Sequence, residues 1–262
     1  QIDPAALKVV DGKIDLGALA SIRQPVAQLQ ASFQQLLAAL DQPLSQWVPQ
    51  RLADRIAHLQ AEAHSYEAPL DRLTQAIDVA PAMLGAEQEQ WFASAMKGAS
   101  ARWNVIAQQT LMAEADHGPG ERHVYWADGW DGYPMARQRL IDSMATSPVK
   151  DTLVLGGDVH SFWASDLRRD FTGPGPIVAT EFVGGSITSQ GPSADRVKAM
   201  LAKNPHLRYG RSGVYGYGLA ALAPKGASVD FRSVATIKEA TSSISTLARF
   251  AVEAGKPGVQ SA

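Results

Sequence analysis

Cysteine is absent from all 262 residues, which excludes a disulfide framework, thiolate metal ligands and a cysteine nucleophile. An excess of one charge sign is also missing: 24 Lys and Arg stand against 26 Asp and Glu. The net charge of -2 gives no footing for the polyanionic backbone of a nucleic acid, so no nucleic-acid partner is expected. No apolar run approaches the ~20 residues of a membrane span. The start, Gln1-Ile2-Asp3, has no initiator Met and none of the basic and apolar regions of a signal peptide, so the chain reads as processed or truncated. Repeats and low-complexity tracts are lacking as well. What the chain does have is 45% hydrophobic residues, enough for a substantial core in one large domain or two small ones.

The run Thr152-Leu153-Val154-Leu155-Gly156-Gly157-Asp158-Val159-His160 carries the sharpest signal. An apolar strand stops on two glycines, which turn without a Cβ penalty, and then presents a carboxylate and an imidazole. The carboxyl end of a strand is where open α/β sheets place their chemistry. Asp158 offers hard oxygens and His160 a borderline nitrogen, a pair suited to iron, zinc, manganese or calcium. The residues alone leave a purely structural reading open, in which Asp158 caps a turn and His160 is a hydrogen-bonded core residue. His58 and His64 make a poorer pair, because on a helix they stand about 120° apart and face different ways.

Two textures divide the chain. Residues 21 to 77 read as helical: Val26, Leu29, Phe33, Leu36, Leu37 and Leu40 recur at helical spacing after Pro25, and Leu52, Ile56, Leu59 and Ala63 form a second stripe. The expected organisation is a helical segment or insertion over 1-80 and an α/β domain over 81-262. In the second part, Glu87 to Lys97 reads as a helix closed by Gly98, Trp103 to Ala107 as a buried strand, and Thr152 to Leu155 as another. Pro134 to Met144 reads as a helix with Arg137 and Arg139 on its polar side. Ile177 to Val183 and Val229 to Val234 are strand candidates. Ser243 to Ala254 reads as a final helix, with Ile244, Leu247 and Ala251 on one face and Gly255 and Pro257 beyond its end.

Aromatics make up only 7% of the chain, so their concentration with carboxylates in the Gly-rich stretch from Trp126 to Tyr133 stands out. The functional reading puts Trp130, Asp131 and Tyr133 at the rim of a site; the structural one makes Asp131 a helix cap and Trp130 a loop anchor. His117 and His123 flank the same loop. Glu181 to Ser189 ends a strand in Gly184-Gly185 and three hydroxyl-bearing residues, a composition able to approach an anion through Ser186 and backbone N–H groups. Serine hydrolysis by Ser186 with His160 is disfavoured, since the chain has no Gly-x-Ser-x-Gly elbow.

The order of Trp103-Asn104-Val105-Ile106-Ala107-Gln108-Gln109, Asp128-Gly129-Trp130-Asp131-Gly132-Tyr133-Pro134, Gly157-Asp158-Val159-His160 and Glu181 to Ser189 resembles that of the PhoD-like alkaline phosphatases, within the calcineurin-like metallophosphoesterases. Met83-Leu84-Gly85 with Gln88 and Trp91, Asn204-Pro205-His206, and Gly255-Lys256-Pro257-Gly258 extend the resemblance from about residue 80 to the end. Each motif alone is weak, but in this order they are specific. The family's other metal-ligand motifs, a GD-containing loop and a DDH-type segment, are not found here, and Gly185 stands where the family often has threonine.

The resemblance implies an α/β fold, a partial αββα sandwich preceded by the helical segment. It also implies metal-dependent hydrolysis of phosphate esters, as monoesterase or diesterase, and export to the periplasm or the extracellular space. Such centres use two or more metal ions, iron and calcium by resemblance, with zinc or manganese as alternatives. Asp158 and His160 become ligands to different ions, and Trp130, Asp131, Tyr133, Ser186 and His206 become substrate-binding candidates. Two ions need about seven or eight ligands. The remainder would come from a missing or partner segment, such as an amino-terminal fragment of the same protein. The alternative is a non-catalytic binding or scaffold product of the same lineage.

Overall fold

The computed structural model describes residues 9–10, 13–14, 28, 31–35, 38, 50–66, 82–120 and 122–262. The chain divides into two compact units, Gln1–Pro81 and Ala82–Ala262. In the first, β1 (Val9–Val10) pairs antiparallel with β2 (Lys13–Ile14). Residues 31–35 are helical, and α1 spans Gln50–His64. The expected stripe of Leu52, Ile56, Leu59 and Ala63 therefore falls on one helix. The expectations for Val26, Leu29, Leu36, Leu37 and Leu40 lie outside the described residues.

The second unit is built in three layers. Its five-stranded sheet has the order β3 (Asn104–Ala107), β4 (Thr152–Gly156), β6 (Ile177–Val183), β5 (Phe162–Arg168), β7 (Leu207–Arg211). β3, β4 and β6 run parallel, while β5 lies antiparallel to both β6 and β7. Helices α2 (Ala86–Lys97), α3 (Pro134–Thr146) and α4 (Ala194–Lys203) supply Met96, Ile141 and Met200 to a core they share with this sheet. The other core lies against an antiparallel sheet of order β11-β10-β9-β8, from Lys256–Ser261, Ile244–Glu253, Gly226–Val234 and Tyr215–Ala223.

Strand periodicity explains why one sheet serves two cores. Val154, Trp163 and Val183 point to the helices, while their neighbours Leu153, Phe162 and Phe182 point to the second sheet. There Phe231 meets Phe162 at 5.0 Å and Phe250 at 5.3 Å between ring centroids. Such aromatic pairs contribute about 0.5–1.5 kcal/mol each beyond the area they bury. This mixed α/β arrangement is the fold class the sequence implied.

Three expectations are corrected. Ser243 to Ala254 is not a helix: β10 occupies Ile244–Glu253, paired with both β9 and β11. Buried Phe250 and Val252 alternate with Arg249, Ala251 and Glu253, a period of two in which Gly255, at φ 82°, closes a hairpin rather than a helix. The strand beginning near Trp103 is not buried throughout, because β3 is an edge strand bonded only to β4, and Val105 is 46% exposed. Arg137 does not lie on a polar face; it is buried, with its charge met inside the protein.

Candidate functional site

β4 and β6 end side by side, with Gly156 opposite Val183, and the loop leaving β4 carries Asp158 and His160. These are the two non-glycine residues with positive φ among those described, at 64° and 55°. L-residues in this region cost about 1–2 kcal/mol each, and such strain concentrates at functional sites. The Val159 N–H donates back to the Gly157 carbonyl at 2.7 Å, tightening the turn between them. The two preceding glycines do not take the left-handed conformation themselves. A Cβ on Gly156 would overlap the Thr110 carbonyl, so this glycine is needed for close approach, and the backbone strain falls on Asp158 and His160 instead. From the other side, a Cβ on Gly191 would overlap the His160 carbonyl.

A cavity of about 420 Å³ opens beside this turn. Asp158, His160, His117, Trp130 and Asp131 line it, and Trp126, Gln190 and Arg196 contribute to its wall. Sequence reasoning singled out Trp130, Asp131, Asp158 and His160 as site residues, and the structure brings them to one cavity. Tyr133, Ser186 and His206 are not among its lining residues. Tyr133 precedes α3 and packs against the helix-side core. The Ser186 hydroxyl accepts the N–H groups of Thr188 at 3.1 Å and Ser189 at 2.7 Å. His206 Nε2 bonds the Glu114 carbonyl at 2.6 Å, its ring packs on Phe171, and burial lowers its pKa.

One wall of the cavity is a segment without regular structure, residues 108–118. A buried backbone with no ladder must find partners elsewhere. Here side chains supply them. Glu181 accepts the Met112 N–H at 2.6 Å and the Ala113 N–H at 3.0 Å. Asp131 accepts the Ala115 N–H at 3.1 Å, and Asn204 accepts from the Asp116 N–H at 3.0 Å while donating to the Asp116 carbonyl at 2.7 Å. Gln108 folds back on Thr110 and accepts the Trp130 indole N–H at 2.8 Å. Several motif residues thus hold this segment in place, presenting Leu111, Ala115 and His117 to the cavity.

The brace is strongly charged. Arg137 donates to Asp131, to Glu114 at 3.1 Å and to the Met112 carbonyl at 3.4 Å. Burial opposes its charge, but Asp131 and Glu114 outweigh that and raise its pKa. Burial pushes Glu114 up against the pull of Arg137. The fully enclosed Glu181 is pushed up by burial to about 7, although the Met112 and Ala113 N–H groups oppose the shift. Beside the segment, burial would raise Asp116, but the Gly118 N–H, Lys203, the Val124 N–H and His123 hold it down at about 2. Asp131 is consequently not a helix cap; α3 has no side-chain cap, and both Asp131 oxygens are engaged by Arg137 and Ala115.

A bound metal ion requires several converging donors. Among the described residues, no three His, Cys, Asp or Glu side chains converge to hold one. Asp158 and His160 offer two donors on one wall, so the described residues do not complete an ion site by themselves. Among the described residues no helix is long and apolar enough to cross a membrane.

A mixed sheet carrying its candidate donors in the loop after one central strand, backed by helices and a second sheet, defines a metallophosphoesterase-type fold. The chain belongs to the PhoD-like phosphatase family, whose model matches residues 54–231. The match starts inside α1, well before the motifs that carry the resemblance, and stops within β9. The chain is 36% identical to alkaline phosphatase D of Bacillus subtilis (strain 168) over 182 residues, which is 68% of this chain and 31% of the relative. A solved structure titled "Structure of PhoD" superposes with a TM-score of 0.64 at 36% identity, covering 69% of this chain and 35% of that one. The chain thus spans about a third of the length of the relatives it matches.

Glu181, Arg137, Asn204 and Gln108 were missed as site-building residues. The isolated carboxylate of Glu181 inside an apolar strand was the available signal, since a buried charge demands partners. Gly185 is accounted for: a Cβ there would collide with the Phe162 ring, so this position excludes a side chain unless Phe162 moves.

Proposed function

We propose that this chain supplies one wall of a phosphatase centre that hydrolyses phosphate esters, with Asp158 and His160 as metal ligands. In that reaction water attacks phosphorus, the P–O ester bond breaks, and the alcohol leaves carrying a proton. The observation that carries the reading is the backbone strain at Asp158 and His160, the two non-glycine residues with positive φ among those described, in the lining of the cavity. Family membership supports the reaction class. By family resemblance the ions are iron and calcium, with zinc or manganese as alternatives, and the protein is exported. The further donors lie outside the described residues, in another segment of a longer protein or a partner fragment.

A second reading, a non-catalytic binding or scaffold protein of the same lineage, draws on one observation: among the described residues no three His, Cys, Asp or Glu side chains converge to hold an ion. Phosphate release from a chromogenic monoester and a diester, measured with and without added divalent and ferric ions, separates the two. Ion-dependent release abolished by Asp158→Asn or His160→Ala supports the enzyme. Ion binding with no release on either ester supports the scaffold.

A further inference from the structure

Three tryptophans line the cavity beside Asp158 and His160. Trp130 and Trp163 both line it, yet their indole N–H groups are committed elsewhere: Trp130 donates to Gln108 at 2.8 Å and Trp163 to the Ser161 hydroxyl at 2.8 Å. Both rings are almost fully buried, at 2% and 1% exposure, so the exposed indole at this cavity is that of Trp126. Leu111, Val159 and Met200 extend this apolar lining. Trp126, resting against Gly129, is 41% exposed at the same cavity, an unusual cost for an indole that has nothing to cover. Both oxygens of Asp131 already accept a hydrogen bond, from the Ala115 N–H and from Arg137.

The free polar group of interest is Arg196. It lies on α4, lines the cavity, is exposed, and makes no ion pair with a carboxylate among the described residues. A planar guanidinium without an internal partner suits a bidentate contact to phosphoryl or carboxylate oxygens. A volume of about 420 Å³ is within the range of small-ligand pockets, which combine apolar walls with a few placed polar groups.

We propose that this cavity is a specificity subsite for an aromatic phosphate ester, the ring of its alcohol portion held by Trp126 and the anionic group of the ester by Arg196. The proposal rests on the phosphatase reading and deepens it by naming the substrate class. A planar ring can stack on the exposed Trp126 indole, with its anion within reach of a guanidinium that has no internal partner.

Three probes separate the parts: phenylphosphonate has ring and anion, methylphosphonate the anion alone, and benzyl alcohol the ring alone. Binding is measured by calorimetry on the full 262-residue chain. The expected result is at least tenfold tighter binding of phenylphosphonate than of methylphosphonate, with Trp126→Ala abolishing the difference, Trp126→Phe retaining part of it, and Arg196→Gln weakening both phosphonates. Equal affinity for the two phosphonates overturns the aromatic subsite while leaving the phosphatase reading intact. Benzyl alcohol binding as tightly as phenylphosphonate overturns Arg196 as the anion donor and counts against the phosphatase reading. Failure of phenylphosphonate to bind at millimolar concentration overturns the subsite outright.

Discussion

Arg137 and Asp131 form a buried ion pair that ties helix α3 to the aromatic loop before it, and the second oxygen of Asp131 passes the restraint to the Ala115 N–H at 3.1 Å. The cavity wall is therefore fixed from within the protein. Removing one partner of such a pair leaves the other charge buried and uncompensated, which costs about 3–5 kcal/mol. Arg137→Met is expected to lower stability by that amount in urea unfolding. Arg137→Lys should recover only part, because one ammonium cannot reproduce the fork that reaches Asp131, Glu114 and the Met112 carbonyl.

Glu181 predicts a pH dependence of opposite sign to that of a salt-bridged carboxylate. Burial raises its folded pKa from the ordinary 4.5 to about 7, so the native state holds the proton more tightly than the unfolded chain. The stability it contributes is fully present below about 4.5 and declines as pH rises to about 7, then levels off. Urea midpoints across that interval should fall in the native protein. Glu181→Gln should remove this fall, at the cost of a lower plateau, because an amide cannot accept from both the Met112 and Ala113 N–H groups. An unchanged slope in the variant would assign the effect to another group.

His160 separates folding from function. Glycine at this position relieves the left-handed backbone cost of about 1–2 kcal/mol. The greater freedom of the unfolded chain offsets roughly 0.5–1 kcal/mol of that gain. His160→Gly should therefore be neutral or stabilising by up to about 1.5 kcal/mol while ending phosphate release. Destabilisation by more than about 1 kcal/mol would make His160 a structural residue.

Gly191 tests the same turn from its far side. An added methyl would press on the His160 carbonyl, and such overpacking costs about 1–3 kcal/mol. Gly191→Ala is expected to lower the unfolding midpoint and reduce phosphate release together, whereas a variant of native stability and turnover would show that the turn yields without consequence.

The elements legible in the sequence were those whose local signals agreed with their burial. α2 and α3 have glycine or proline at their ends and apolar residues at helical spacing, and β4 and β6 are apolar runs inside a sheet covered on both faces. β10 was misread because Ile244, Leu247 and Ala251 satisfy a helical period by accident, while its pairing depends on β9 and β11, which local sequence cannot show. β8 was illegible for another reason: Tyr215-Gly216-Tyr217-Gly218-Leu219-Ala220-Ala221 has little β-propensity beyond its tyrosines. At the site, Asp158 and His160 could be picked out because donor types one residue apart after a strand are rare. Arg137 could not, because a helical arginine looks solvated until Asp131 and Glu114 are brought to it by the fold.

The most direct test is metal analysis of the purified protein, together with any companion segment, in native form and as Asp158→Asn and His160→Ala. The account predicts bound ions in the native protein, reduced occupancy in each variant at preserved folded content, and phosphate release falling in step. Occupancy and turnover unchanged in both variants would contradict it.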